Sequence, residues 1–118
     1  MNNAFSKSER LCGQTRIEDL YHNGKRFVVW PLRVTYRAVE DAPTRVLIWA
    51  PKSLFKHAVD RNCLRRRMRE AYRLNKSLLT ERGKTYEVAF NYMDKEIQES
   101  PVIHKAMRQA LKRLAEME

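Results

Sequence analysis

The amino-acid sequence predicts a single small α+β domain, on three observations. Its 118 residues suit one domain and leave no room for a second. Hydrophobic residues make up 43% of the chain against 32% charged, which is enough apolar material for a core of its own. The hydrophobic pattern changes period along the chain, from helical to alternating and back, with no internal repeat and no low-complexity stretch.

The expected order is α, two or three strands, α, strand, α. Residues 1–10 read as a flexible N-terminal segment. Thr15-Arg16-Ile17-Glu18 has the form of a capping box, Gly24 supplies a stop, and Ile17, Leu20 and Tyr21 make one narrow apolar stripe, so a short helix is expected over 15–23. From Phe27 the residues turn β-branched and aromatic. Phe27-Val28-Val29-Trp30 is followed by Leu32, Val34 and Tyr36 alternating with Arg33, Thr35 and Arg37. Glu40-Asp41-Ala42-Pro43 reads as a turn, and Arg45-Val46-Leu47-Ile48-Trp49-Ala50 as an apolar strand suited to a central position, ended by Pro51. A long helix is expected over 56–79, closed by Arg82-Gly83, and then a strand at Tyr86-Glu87-Val88-Ala89-Phe90. Ser100-Pro101 reads as an N-cap followed by proline in the first turn of a last helix. Its core face is Ile103, Ala106, Met107, Ala110, Leu111 and Leu114.

No stretch approaches the roughly 18 apolar residues of a membrane span, and the start of the chain lacks the apolar run of a signal peptide, so a cytoplasmic protein is expected. Cys12 and Cys63 stand alone, without metal-ligand spacing. The charge is more informative. With 24 Lys and Arg against 14 Asp and Glu, the net charge of +10 implies a polyanionic partner, either nucleic acid or an acidic membrane surface.

Residues 61–76 hold seven basic side chains and one acid, Glu70, so six of the ten net charges lie within sixteen positions. On a helix, Leu64, Met68, Ala71 and Leu78 share one face. Asn62, Arg65, Arg66, Arg69, Arg73 and Lys76 fall in an arc of roughly 100° on the other, with Arg67 on the opposite flank. A solvated helix face normally alternates signs in i, i+4 pairs, and this one does not. Like charges this dense repel unless an anion lies across them. Arginine grips phosphate oxygens with a bidentate fork, so a phosphodiester backbone is the natural complement. A membrane is the weaker alternative because the apolar side lacks Trp and Phe anchors. DNA is weaker still, since the short partner of a helix-turn-helix is missing.

The stretch Arg61-Asn62-Cys63-Leu64-Arg65-Arg66-Arg67-Met68-Arg69-Glu70, preceded by Lys56-His57-Ala58-Val59-Asp60, resembles the arginine-rich "RNR" helix of the protein component of bacterial ribonuclease P. Phe5-Ser6-Lys7-Ser8-Glu9-Arg10-Leu11, the stretch from Ile17 to Lys25, Arg45-Val46-Leu47-Ile48 and Tyr86-Glu87-Val88-Ala89-Phe90 resemble that family's other segments, in its order. The resemblance implies an α-β-β-β-α-β-α two-layer sandwich, ribosomal protein S5 domain 2-like, with a left-handed βαβ crossover. It implies a protein subunit whose RNA partner cleaves the 5′ leader from precursor tRNA, using divalent metal (Mg²⁺) held through the RNA-containing holoenzyme. Arg61, Asn62, Arg65, Arg66 and Arg69 match the motif residues that face the catalytic RNA, Arg73 extends the same arc, and Lys52 matches a basic residue before the helix. Ile17 and Tyr21 fall where the family places the apolar or aromatic residues of the leader cleft. Cys63 and Ser53 replace usual basic residues, Ile17 a frequent aromatic, and Arg67 a usual apolar residue.

If Leu32, Val34 and Tyr36 fill the core, the opposite sheet face offers Arg33, Thr35 and Arg37 beside the short helix, a groove for an extended strand. Protein ribonucleases need a general acid and base or a carboxylate cluster holding metals. His22, His57 and His104 lie in three separate elements and the acids in turns and loops, so no active site is expected on this chain. The alternative to the ribonuclease P reading is a non-catalytic module for structured RNA, such as a ribosomal or assembly protein.

Overall fold

A computed structural model describes residues 10, 11, 13–40, 43–80 and 85–116. The segment 1–9, Cys12, Asp41 and Ala42 of the expected turn, and the Arg82-Gly83 stop lie outside the described residues. Along the chain come α1 (Gln14–Asn23), β1 (Lys25–Val29), β2 (Leu32–Val39), β3 (Arg45–Trp49), α2 (Ala58–Asn75), a single turn α3 (Ser77–Thr80), β4 (Thr85–Tyr92) and α4 (Ser100–Glu116). The mixed α+β fold and its element order match the expectation.

The strands form one sheet in the order β1-β2-β4-β3. β1 with β2 and β2 with β4 are antiparallel, whereas β3 runs parallel to β4 and reaches it through α2, the βαβ crossover. Alternation decides the faces. Leu32 and Val34 of β2, Val46 and Ile48 of β3, and Val88 and Phe90 of β4 point to one side, where α2, α3 and α4 cover them to form the main core. The expected face of α4 is buried throughout, joined by Ala115. On the other side α1 lies alone over Ala89, burying Leu20 in a small second cluster with Leu11. The two-layer sandwich thus carries a partial third layer.

Four local expectations are corrected. Thr15 does not cap α1: Gly13, at φ 95°, is the N-cap, and its carbonyl accepts the Ile17 N–H at 3.0 Å, two residues before the capping-box position. β3 is an edge strand. Its apolar run is explained by cover from both faces and by Leu11, whose N–H donates to the Val46 carbonyl at 2.9 Å along the outer edge. That pairing also places Arg10, the last residue of the segment expected to be flexible, beside Val46. The long helix is interrupted at Lys76, and in the short α3 that follows Leu79 reaches the core while Leu78 is half-buried. Finally, the Glu99 carbonyl accepts the first bond of α4, so the cap sits one residue before Ser100.

Gly24 does end α1, by close approach. A Cβ there would lie 2.6 Å from the Leu20 carbonyl oxygen and 2.9 Å from that of Tyr36, both backbone atoms unable to yield. Gly24→Ala is expected to cost about 1–3 kcal/mol of stability, as overpacking does. Thermal denaturation checks it, and an unchanged melting temperature would mean that α1 is free to shift away from β2.

Candidate nucleic-acid interface

α2 buries Leu64, Met68, Ala71 and Tyr72, which turns the guanidinium arc away from the core. Asn62 and Arg66 are exposed, while Arg65, Arg69 and Arg73 are partly covered. Among the described residues no carboxylate pairs with Arg65, Arg66 or Arg69. Asn62, Arg65 and Arg69 line a groove of about 350 Å³ closed on its far side by Arg10, Leu11 and Leu47. The basic flank of α2 therefore continues round the β3 edge. Lys52 is exposed in the turn after β3.

Three other arginines of the segment have partners within the protein. Arg61 donates through Nη1 to the carbonyls of Phe55 at 2.8 Å and Lys56 at 2.9 Å, fastening the turn that leads into α2. Arg73 is paired with Glu70, and that guanidinium holds the Glu70 carboxyl below its ordinary value, chiefly by hydrogen bonding. Arg67 donates to the Gln98 carbonyl at 2.6 Å, across the seam towards α4. Its placement off the arc was expected from the helical wheel. Arg65 donates to the Asn62 amide oxygen, so Asn62 positions a guanidinium on the exposed face.

The α1 side of the sheet alters the expected groove. Arg33, Thr35 and Arg37 do share the face opposite Leu32 and Val34. Thr35, however, is 0% exposed beneath α1, and its hydroxyl has no hydrogen-bond partner among the described residues, so it is not offered to a ligand. Arg37 is not free either. It donates through Nε to Glu87 at 2.7 Å and through Nη1 to Asp19 at 2.5 Å, tying α1 to the sheet. Glu87 is a nearly buried carboxylate, and Arg16 approaches it at 3.7 Å. Both corrections have one cause: α1 lies over this part of the sheet.

Beyond the end of α1 the sheet is open. Register places Val28, Arg33, Asn91 and Trp49 side by side across β1, β2, β4 and β3. Trp49 is 44% and Val28 52% exposed. Tyr21 is half-buried, packs with Ile17 against the Leu11–Leu20–Ala89 cluster, and donates its hydroxyl to Asn91 Oδ1 at 2.9 Å. The structure thus brings Tyr21 and Arg33 to one open platform and adds Trp49 and Asn91. Trp49 and Asn91 were missed. The alternation of Leu47 with Trp49 was readable, but which strands they adjoin was not.

Residues 5–115 match the family described as Ribonuclease P. The chain is 40% identical to the ribonuclease P protein component of Porphyromonas gingivalis over 118 residues, 94% of this chain and 86% of that protein. The chain belongs to the ribonuclease P protein family. It is an accessory subunit of an endoribonuclease, acts in tRNA 5′ processing, and partners an RNA subunit. The protein component of Chlorobaculum tepidum is 42% identical over 84 residues, 66% of this chain and 54% of that protein. Solved structures share the fold. The ribonuclease P protein of Thermotoga maritima superposes with a TM-score of 0.75 at 23% identity, covering 89% of this chain and 96% of its own. A mutant of the Staphylococcus aureus protein gives 0.77 at 19% identity, covering 91% and 88%.

Proposed function

We propose that this ribonuclease P protein assists a catalytic RNA that itself carries the hydrolysis of precursor tRNA. In this reading the protein holds the RNA subunit through α2 and the 5′ leader through the open end of the sheet. The observation that carries it is the partner state of the arc: Arg66 and Arg69 present guanidinium groups without a carboxylate, on one side of a helix whose other side is core. Asn62 and Arg65 join them as a positioned pair, and Lys52 adds a cation ahead of the helix. In this reading the Mg²⁺ is held through the RNA-containing holoenzyme; among the described residues no three His, Cys, Asp or Glu side chains are grouped so as to hold a metal ion. Among the described residues, too, no helix is long and apolar enough to cross a membrane, and the basic arc is assigned to RNA.

The leader reading rests on the platform. An extended single strand needs aromatic faces to stack on and cations for its backbone. Trp49 and the edge of Tyr21 supply the first, and Arg33 the second. Ile17 shapes the floor, whereas Thr35 and Arg37 act beneath it as packing and anchorage.

Reconstitution tests the whole. The protein mixed with a bacterial ribonuclease P RNA at low Mg²⁺ is expected to release the leader at the correct site, and no stimulation over RNA alone overturns the reading. Tyr21→Ala is expected to weaken binding of precursor tRNA with a leader of several nucleotides by about 1–3 kcal/mol, the range for one stacked base. Mature tRNA binding should stay unchanged. Equal loss with and without a leader returns Tyr21 to the core.

A further inference from the structure

We propose that Asn91 makes the platform selective for a keto base, uracil or guanine, over an amino base, adenine or cytosine, at one leader position; the inference rests on the leader reading above. The argument begins with the orientation of one amide. Asn91 Oδ1 accepts the Tyr21 hydroxyl at 2.9 Å, so the carbonyl end of the side chain is turned towards α1 and engaged. The other end, the NH₂, carries two donors, and no group among the described residues accepts from it.

The groups that flank Asn91 on the same face are of one kind. Arg33 on β2 has only donors, and the indole N–H of Trp49 on β3 is a donor only. The Tyr21 phenol oxygen is also an acceptor, but a weaker one than a carbonyl, and its O–H is already directed at Asn91. A base lying on the exposed Trp49 ring therefore meets a donor at its polar edge. Uracil O4 and guanine O6 accept a hydrogen bond, whereas cytosine and adenine present an N–H at the equivalent position. A keto base gains a bond to Asn91. An amino base sets donor against donor and leaves both unpaired.

One hydrogen bond of ordinary strength corresponds to a preference of about three- to tenfold. The test is competitive cleavage, by the reconstituted holoenzyme, of precursor tRNA randomised through the leader. Wild type is expected to enrich U and G over C and A by that factor at one position. Asn91→Asp keeps an acceptor for Tyr21 and replaces the NH₂ by oxygen, so the preference at that position should invert. Asn91→Leu, with neither donor nor charge, should flatten it. A wild type without any such preference, or an Asn91→Asp profile identical to wild type, overturns the proposal. The underlying reading fails separately: if Trp49→Ala and Tyr21→Ala leave the affinity difference between leader-bearing and mature tRNA intact, the platform does not bind the leader. If they abolish that difference while Asn91→Asp keeps the wild-type profile, the platform stands and the discrimination by Asn91 falls.

Discussion

Arg37→Ala is expected to lower the free energy of unfolding by about 3 kcal/mol, the lower end of the range for breaking a buried ion pair. Glu87 lies on β4, an inner strand, with 6% exposure, and Arg37 meets its carboxylate with Nε at 2.7 Å and Nη2 at 2.6 Å. Without Arg37, the cation left beside Glu87 among the described residues is Arg16 at 3.7 Å, a side chain that is itself 46% exposed. The lower end applies because the Arg37 side chain retains 27% exposure and water reaches the vacated site. Urea denaturation should show a lower midpoint at an unchanged slope. Arg37→Leu combined with Glu87→Leu should recover much of the loss, since replacing both partners removes both desolvation costs. The same arginine gives an acid-side signature. Its hydrogen bond and then its charge hold the Asp19 carboxyl below the ordinary carboxylate value. That link contributes above the ordinary value and is lost as pH falls through the lowered one, a dependence that Arg37→Ala should lack. Normal denaturation together with a defect confined to leader binding would return Arg37 to the set of leader contacts.

The position of Arg37 marks where sequence reading stops. Alternation in β2 placed Arg33, Thr35 and Arg37 on the correct face, because a period of two is a local property of the chain. What covers that face is not local. α1 contributes one narrow stripe, and nothing in its spacing tells that Leu20 settles over Ala89, about seventy positions away, sealing Thr35 and setting Asp19 against Arg37. β3 shows the same limit. An apolar hexapeptide reads as central, yet burial came from α2 on one face, the α1 cluster on the other and Leu11 along the edge. Elements with a strong period of their own, such as α4, were legible nearly residue by residue. Within α2 the wheel separated Arg67 from the arc, but the partners of Arg61 and Arg73 depend on carbonyls and a carboxylate whose geometry appears only in the folded chain.

That distinction among arginines gives the second large effect. The double variant Arg66→Ala, Arg69→Ala is expected to weaken binding of the catalytic RNA on the order of 100-fold, at about 1.5 kcal/mol for each charge-assisted contact. The slope of log affinity against log salt should fall by about 2. Folding should be unaffected, since neither guanidinium has an ion-pair partner among the described residues. Arg61→Ala should behave differently, lowering stability through the freed Phe55 and Lys56 carbonyls while barely changing the slope. Arg67→Ala should leave the slope alone, because its guanidinium is turned to Gln98. Arg73 is intermediate: to reach a phosphate it must leave Glu70, so its removal should change the slope by less than 1. Glu70→Gln should then tighten RNA binding by releasing Arg73 and removing a negative charge beside the arc. Filter binding across a salt series separates these cases. Equal slope changes from Arg61, Arg67 and Arg66 would mean that the RNA reorganises the whole helix surface, and that the pairing in the free protein does not select which arginines meet phosphate.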